Sequence, residues 1–198
     1  MKKSILIISA VCAAAAFLGG CQSCDSATTN QYDELNEMLE AGYSSLKIAV
    51  IDNYDGDTFL ESVYEIEYTA NGANIDYSVE RFTQIFVTPD GNAIKTKLIG
   101  KASVTDGKVT YISGDRVEIP ENLTESGINF KQDYFDNVEM TGISFTASVN
   151  DLSGFLGVQT SGTGAQVFAT FLEVFYEIEI TYKSESGNSV EIKYVFDI

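Results

Sequence analysis

From Ser45 to the C-terminus the hydrophobic pattern repeats every two residues, and this limits the fold more than any other feature of the chain. Leu46, Ile48 and Val50 share one side of such a run, and Leu60, Tyr64, Ile66 and Tyr68 share the next. Ile75, Tyr77 and Val79 follow, then Leu98, Gly100, Ala102 and Val104, then Val109 and Tyr111. Further on come Ile143, Phe145, Ala147 and Val149, then Tyr176, Ile178, Ile180 and Tyr182, and last Val190, Ile192, Tyr194, Phe196 and Ile198. Successive side chains on a strand point to opposite faces, so each run buries one face and solvates the other. Turn residues separate the runs: Asp55-Gly56, Asn71-Gly72, Pro89-Asp90-Gly91, Asp106-Gly107, Gly114-Asp115 and Ser186-Gly187-Asn188. Strands joined by tight turns pair antiparallel. The pattern therefore predicts a mainly β (α+β) chain, built as a curved antiparallel meander or half-barrel of about eight or nine strands. The stretch 121–137 carries the least pattern.

Two helical signals flank or interrupt the strands. Asn30 is placed to cap a helix, Asp33 and Glu34 fall in its first turn, and Gly42 can end it. Tyr32, Leu35, Met38 and Leu39 lie on one face of that helix, which needs an apolar surface to cover. Later, Asn150 or Asp151 can cap a short turn carrying Leu152, Phe155 and Leu156 before Gly157. The small-residue segment 158–166 reads as a loop, and 167–182 reads as one long strand. Within it, "FATFLEVFYEI" is apolar on both faces, so either both faces are covered or one lines a cavity. The candidate lining residues are Leu35, Met38, Leu39, Phe168, Phe171, Leu172, Phe175 and Tyr176. The alternative for each is a place in an ordinary filled core.

The N-terminus follows a different rule. Lys2 and Lys3 precede an apolar run from Ile5 to Phe17, and small residues lead to Cys21. This is the layout of an export signal, and the run is short for a membrane span. Leu18-Gly19-Gly20-Cys21 resembles the bacterial lipobox. That resemblance implies a diacylglyceryl group on the Cys21 thiol and cleavage that leaves Cys21 first. It divides the chain into a signal peptide (1–20), a flexible tether (21–29) and one domain (30–198). It also implies attachment to a cell membrane on the extracytoplasmic side, each buried methylene contributing roughly 0.8 kcal/mol. A thioether at Cys21 cannot cycle with Cys24 or give zinc a thiolate, so the C-x-x-C spacing implies neither redox chemistry nor a metal.

Composition excludes several functions. Two of the 12 basic residues and none of the 29 acids precede Cys21, so cleavage takes the formal charge from −17 to −19. Nucleic acid needs a basic footprint and is not an expected partner. The chain has no histidine and no tryptophan, which removes Ser-His-Asp and Cys-His catalysis. Glu61, Glu65, Glu67, Glu177 and Glu179 are the outward members of alternating strands, where solvation explains them. "DNYDGDTFLE" fails as a calcium loop, because the first and twelfth ligand positions fall on Ile51 and Ser62. No catalytic residue, cofactor or metal is expected.

The order of one helix, a long meander and a helical insertion before the last hairpins resembles the LolA/LppX-like superfamily of envelope lipoprotein and lipid carriers. "TKLIGKASVTDGKV" and "EIEITYKSESGNSVEIKYVF" also resemble strands of small lipoproteins from Gram-positive bacteria. The superfamily resemblance implies a strongly curved half-barrel whose concave apolar face is closed by helices and holds a lipid or other apolar ligand. The alternative is a non-catalytic structural or interaction module of the cell envelope with a filled core. The anchor makes a direct prediction: Cys21→Ser should abolish acyl labelling and release the protein from the membrane fraction, while Cys24→Ser should change neither. Label retained on the Cys21→Ser protein would exclude the lipobox.

Overall fold

The computed structural model describes residues 27–54, 57–83, 94–119 and 127–198. Cys21, Cys24, the expected signal peptide and most of the expected tether lie outside the described residues, as do the turn signals at Asp55-Gly56 and Pro89-Asp90-Gly91. Helix α1 (Ala27–Glu40) leads into β1 (Ser45–Tyr54), β2 (Asp57–Thr69), β3 (Gly72–Thr83), β4 (Ile94–Thr105) and β5 (Lys108–Gly114). A single 3-10 turn (Gln132–Tyr134) opens β6 (Phe135–Thr141), which is followed by β7 (Ser144–Val149) and α2 (Leu152–Leu156). The chain ends with β8 (Gly162–Phe171), β9 (Phe175–Ser184) and β10 (Ser189–Asp197).

All ten strands form one open, curved antiparallel sheet in the order β5-β4-β3-β2-β1-β10-β9-β8-β7-β6. β1 lies in the middle and pairs on both sides. Ile48 faces Tyr64 of β2 and Tyr194 of β10. From β1 the chain walks outward by hairpins to β5, re-enters at the opposite edge as β6, and walks inward to β10. Between β4 and β5, Asp106 (φ 51°) and Gly107 (φ 72°) both adopt the left-handed conformation that a tight two-residue hairpin requires.

The expected architecture is present, with several corrections. There are ten strands among the described residues, not eight or nine. The stretch 167–182 is two strands, because Leu172, Glu173 and Val174 turn the chain without any Gly, Pro, Asn or Asp to mark it. Backbone bonds hold that turn: Leu172 N–H donates to Phe175 O at 3.0 Å, and Ile198 N–H donates to Val174 O at 3.3 Å. The expected loop 158–166 contributes its last five residues to β8, where a bulge between Thr163 and Gln166 absorbs the pattern-free glycine. β6 arises inside and beyond the stretch with least pattern, and a register shift between Asp136 and Glu139 hides its alternation. Ile143 sits in the β6–β7 turn, 54% exposed, rather than on the inward face of a strand.

The helix also starts earlier than Asn30. It runs from Ala27, so Asn30 is interior and no acid lies in the first turn. An interior Asn costs only a fraction of a kcal/mol in helix propensity, which nearby packing overrides. The predicted stripe is correct. Tyr32, Leu35 and Leu39 are buried, and Met38 packs against the same core. Gly42, at φ 96°, follows the helix end.

The connection from β5 to β6 must pass from one edge of the sheet to the other, and at Phe130 it meets α1. Ile119, Ile128 and Phe130 are buried in the core. Asn36 fastens the two together. Its Nδ2 donates to Phe130 O at 2.8 Å, and Phe130 N–H donates to its Oδ1 at 2.7 Å. The side-chain amide thus serves both backbone groups of Phe130 as a neighbouring strand would. Phe130 then sits within 5.2–6.3 Å, ring centre to ring centre, of Phe135, Phe145, Phe155 and Phe171. Asn36→Ala should cost about 1–3 kcal/mol through the two unmet backbone groups, and Leu35→Ala about 2–5 kcal/mol through the cavity it leaves. Urea unfolding measures both; an Asn36→Ala protein as stable as the parent would show that the crossover is held without this pair.

Candidate functional site

The inward, concave face of the sheet is where the candidate lining residues were expected to meet. Leu35 and Leu39 are part of the core there, and Met38, Phe171 and Tyr176 pack against it. Phe171 lies 5.6 Å from Tyr176 and 6.3 Å from Phe130, ring centre to ring centre. Phe168 does not join them. It faces outward on β8 between Thr146 and Glu179, and is 47% exposed. Phe175 opens β9 with the same parity as Glu177 and Glu179, which places it on the outer face, half-buried. Leu172 is half-buried in the β8–β9 turn. The run "FATFLEVFYEI" is apolar on both sides because it holds two strands and a turn, not because one strand is covered twice.

The concave face is covered. Phe145, Ala169, Ile178, Ile180 and Phe196 of the strands are 0% exposed, as is Phe155 of α2. Two shallow depressions of the described surface lie on the outer face instead. One of about 370 Å³ is bordered by Val63, Ile99 and the Lys101–Asp76 ion pair. The other, about 210 Å³, is bordered by Glu61, Val63 and the Lys97–Glu80 pair. Among the described residues no group of three or more His, Cys, Asp or Glu side chains is placed to hold a metal ion. No helix among them is long and apolar enough to cross a membrane.

Several tyrosines bring polar groups into the concave face. The register sets Tyr77, Tyr64 and Tyr194 in one cross-strand row, with Ile48 between the last two. Gly100, opposite Tyr77, makes room for that ring, since a Cβ there would meet the hydroxyl at 2.3 Å. The Tyr77 hydroxyl donates to Asp115 O, and the Tyr111 hydroxyl donates to Val117 O at 2.5 Å, so two phenols tie the start of the crossover to the sheet. Burial raises the pKa of Tyr77, Tyr64 and Tyr194, the last to about 12 with a further push from Tyr182. Tyr182 is raised by burial and then by the charge of Asp52.

Asp52 is the residue the sequence reading passed over. It lies two positions beyond Val50, in phase with Leu46 and Ile48, and so on the inward face. The alternation counted from Leu46 marks it. Its Oδ1 is buried without a hydrogen-bond partner.

The phenols set a testable alkaline limit. Tyr194 ionises near 10.0 when unfolded and at about 12 when folded. Its contribution is complete below about pH 10 and is lost as pH rises through about 12, on the order of 2 kcal/mol. Urea midpoints should fall over that interval, and Tyr194→Phe should flatten the fall. An unchanged slope in Tyr194→Phe would show that this phenol is not the one being held neutral.

No protein-family model and no curated protein matches the chain. Among solved structures, a Lactobacillus plantarum protein assigned as an oleoyl thioesterase shares 10% identity, with 87% of this chain and 84% of that chain covered and a TM-score of 0.17, too low to relate the folds.

Proposed function

We propose that the chain is a lipoprotein, anchored through a lipid on Cys21 at the extracytoplasmic face of a cell membrane, whose half-barrel is a non-catalytic interaction module with a filled core. The observation that carries the filled-core reading is the concave face, where Phe145 of β7 and Phe130 of the crossover are at most 1% exposed. A ligand as large as an acyl chain needs space that those rings occupy. The absence of histidine from the chain and its −17 charge support a role without acid–base catalysis and without nucleic acid.

A second reading keeps the apolar ligand of the carrier superfamily. It is favoured by the open sheet, whose edge strands β5 and β6 are not paired with each other. The cover over the concave face would then lift, releasing the Asn36–Phe130 pair, and a lipid would take the place of the rings. The two readings separate on Leu39→Trp and Phe171→Trp. A filled core is overpacked by either change and loses about 1–3 kcal/mol, and a fluorescent fatty acid does not bind saturably to the full chain. Saturable uptake by the parent, weakened by either Trp variant at unchanged stability, would replace the filled-core reading with the carrier.

A further inference from the structure

Asp52 occupies the end of the concave face away from the β8–β9 turn. Its cross-strand row runs from Leu60 through Asp52 and Val190 to Tyr182, so the carboxylate is flanked by aliphatic side chains with a phenol one strand beyond. The nearest basic residue in that row, Arg81, sits on the far side of Leu60 with an exposed side chain and leaves Oδ1 without a donor. Asp52 as a whole is half-buried, but its Oδ1 is out of solvent without a donor, and such an oxygen gains from a cation or a hydrogen-bond donor. A hard divalent cation such as calcium is a poor occupant, because it takes six or more oxygen ligands and no group of three or more His, Cys, Asp or Glu among the described residues is placed to hold a metal. An alkylammonium matches better. Its N–H groups can make charge-assisted bonds to one carboxylate, and its carbon atoms suit an aliphatic and aromatic wall.

We infer that the mouth of the concave face at Asp52 is a binding site for an organic ammonium group, with Oδ1 as its acceptor and Leu60, Val190 and Tyr182 as its walls. The site goes beyond the proposed function and rests neither on the anchor at Cys21 nor on whether the deeper core is filled. Burial raises the pKa of the Tyr182 phenol, and the charge of Asp52 raises it further.

The test is a titration of the full chain, in nonionic detergent, with n-butylammonium chloride, followed by backbone amide resonances. Sodium butyrate and calcium chloride serve as the same-tail and metal controls. Saturable shifts centred on Asp52, Val190 and Tyr182 are expected with the amine and with neither control. Asp52→Asn should weaken the amine by about tenfold or more. The same variant should unfold at an equal or higher urea midpoint, because an unmet charge has been removed. The inference is overturned by an absence of saturable shifts, by equal shifts with butyrate or calcium, or by undiminished binding to Asp52→Asn. A lower midpoint for Asp52→Asn would also overturn it, since the carboxylate would then have a structural partner within the protein.

Discussion

An open sheet with one apolar face has to be covered by its own chain, and here the cover depends on how the crossover from β5 to β6 is fixed. The two edges of the sheet do not pair, so the middle of the crossover is not positioned by a strand partner. Tyr77 and Tyr111 hold its start, and Asn36 holds its later part by bonding both backbone groups of Phe130. Once Phe130 is placed, its ring fills the middle of a cluster contributed by β6, β7, α2 and β8. A buried backbone N–H and C=O left unmet would oppose that burial. One polar side chain on an otherwise apolar helix face therefore helps to set where the aromatic core assembles.

The outer face obeys different physics. Lys47–Glu65, Lys101–Asp76 and Lys97–Glu80 join residues directly opposite each other on neighbouring strands, and Lys193 reaches Glu177 across a diagonal. Exposed pairs of this kind contribute little, about 0–1 kcal/mol each. Their effect is on register, because a slip by one residue would turn these charges into the core. The β6 edge is further guarded by Asp136, Glu139 and the irregularity between them, which makes it a poor template for another strand.

The elements that the sequence revealed are those in which local chemistry and tertiary packing agree. Strands bounded by Asp106-Gly107 or Ser186-Gly187-Asn188 were legible because glycine marks the turn and alternation marks the strand. The stripe of α1 was legible for the same reason. β6 and β8 were not, since each contains a bulge that breaks the period of two, and the β8–β9 turn is made by Leu172, Glu173 and Val174, whose side chains signal nothing. Of the candidate site, the parity of Phe168 and Phe175 could be set only once the turn between β8 and β9 was located. Asn36 and Asp52 escaped because each is a polar residue at an apolar phase. That mismatch is itself the signal, and it identifies the residues with the most specific partners or the least satisfied ones.

The pairing of β1 with β10 joins Ser45 to Asp197, the two ends of the sheet's sequence, at the centre of the sheet rather than at its rim. Every other strand pair is a hairpin or near neighbour that can form as the chain emerges. This one cannot, and β1 has to keep an unpaired edge until the last nine-residue strand arrives. Contacts so distant along the chain are slow to form, and the arms on either side gain their common core only when they close. A chain exported in an unfolded state would meet this condition outside the cell, with all of its strands delivered before the central seam is sealed. Loss of the last strand would not trim an edge. It would divide the sheet into two halves, each with a new unprotected border.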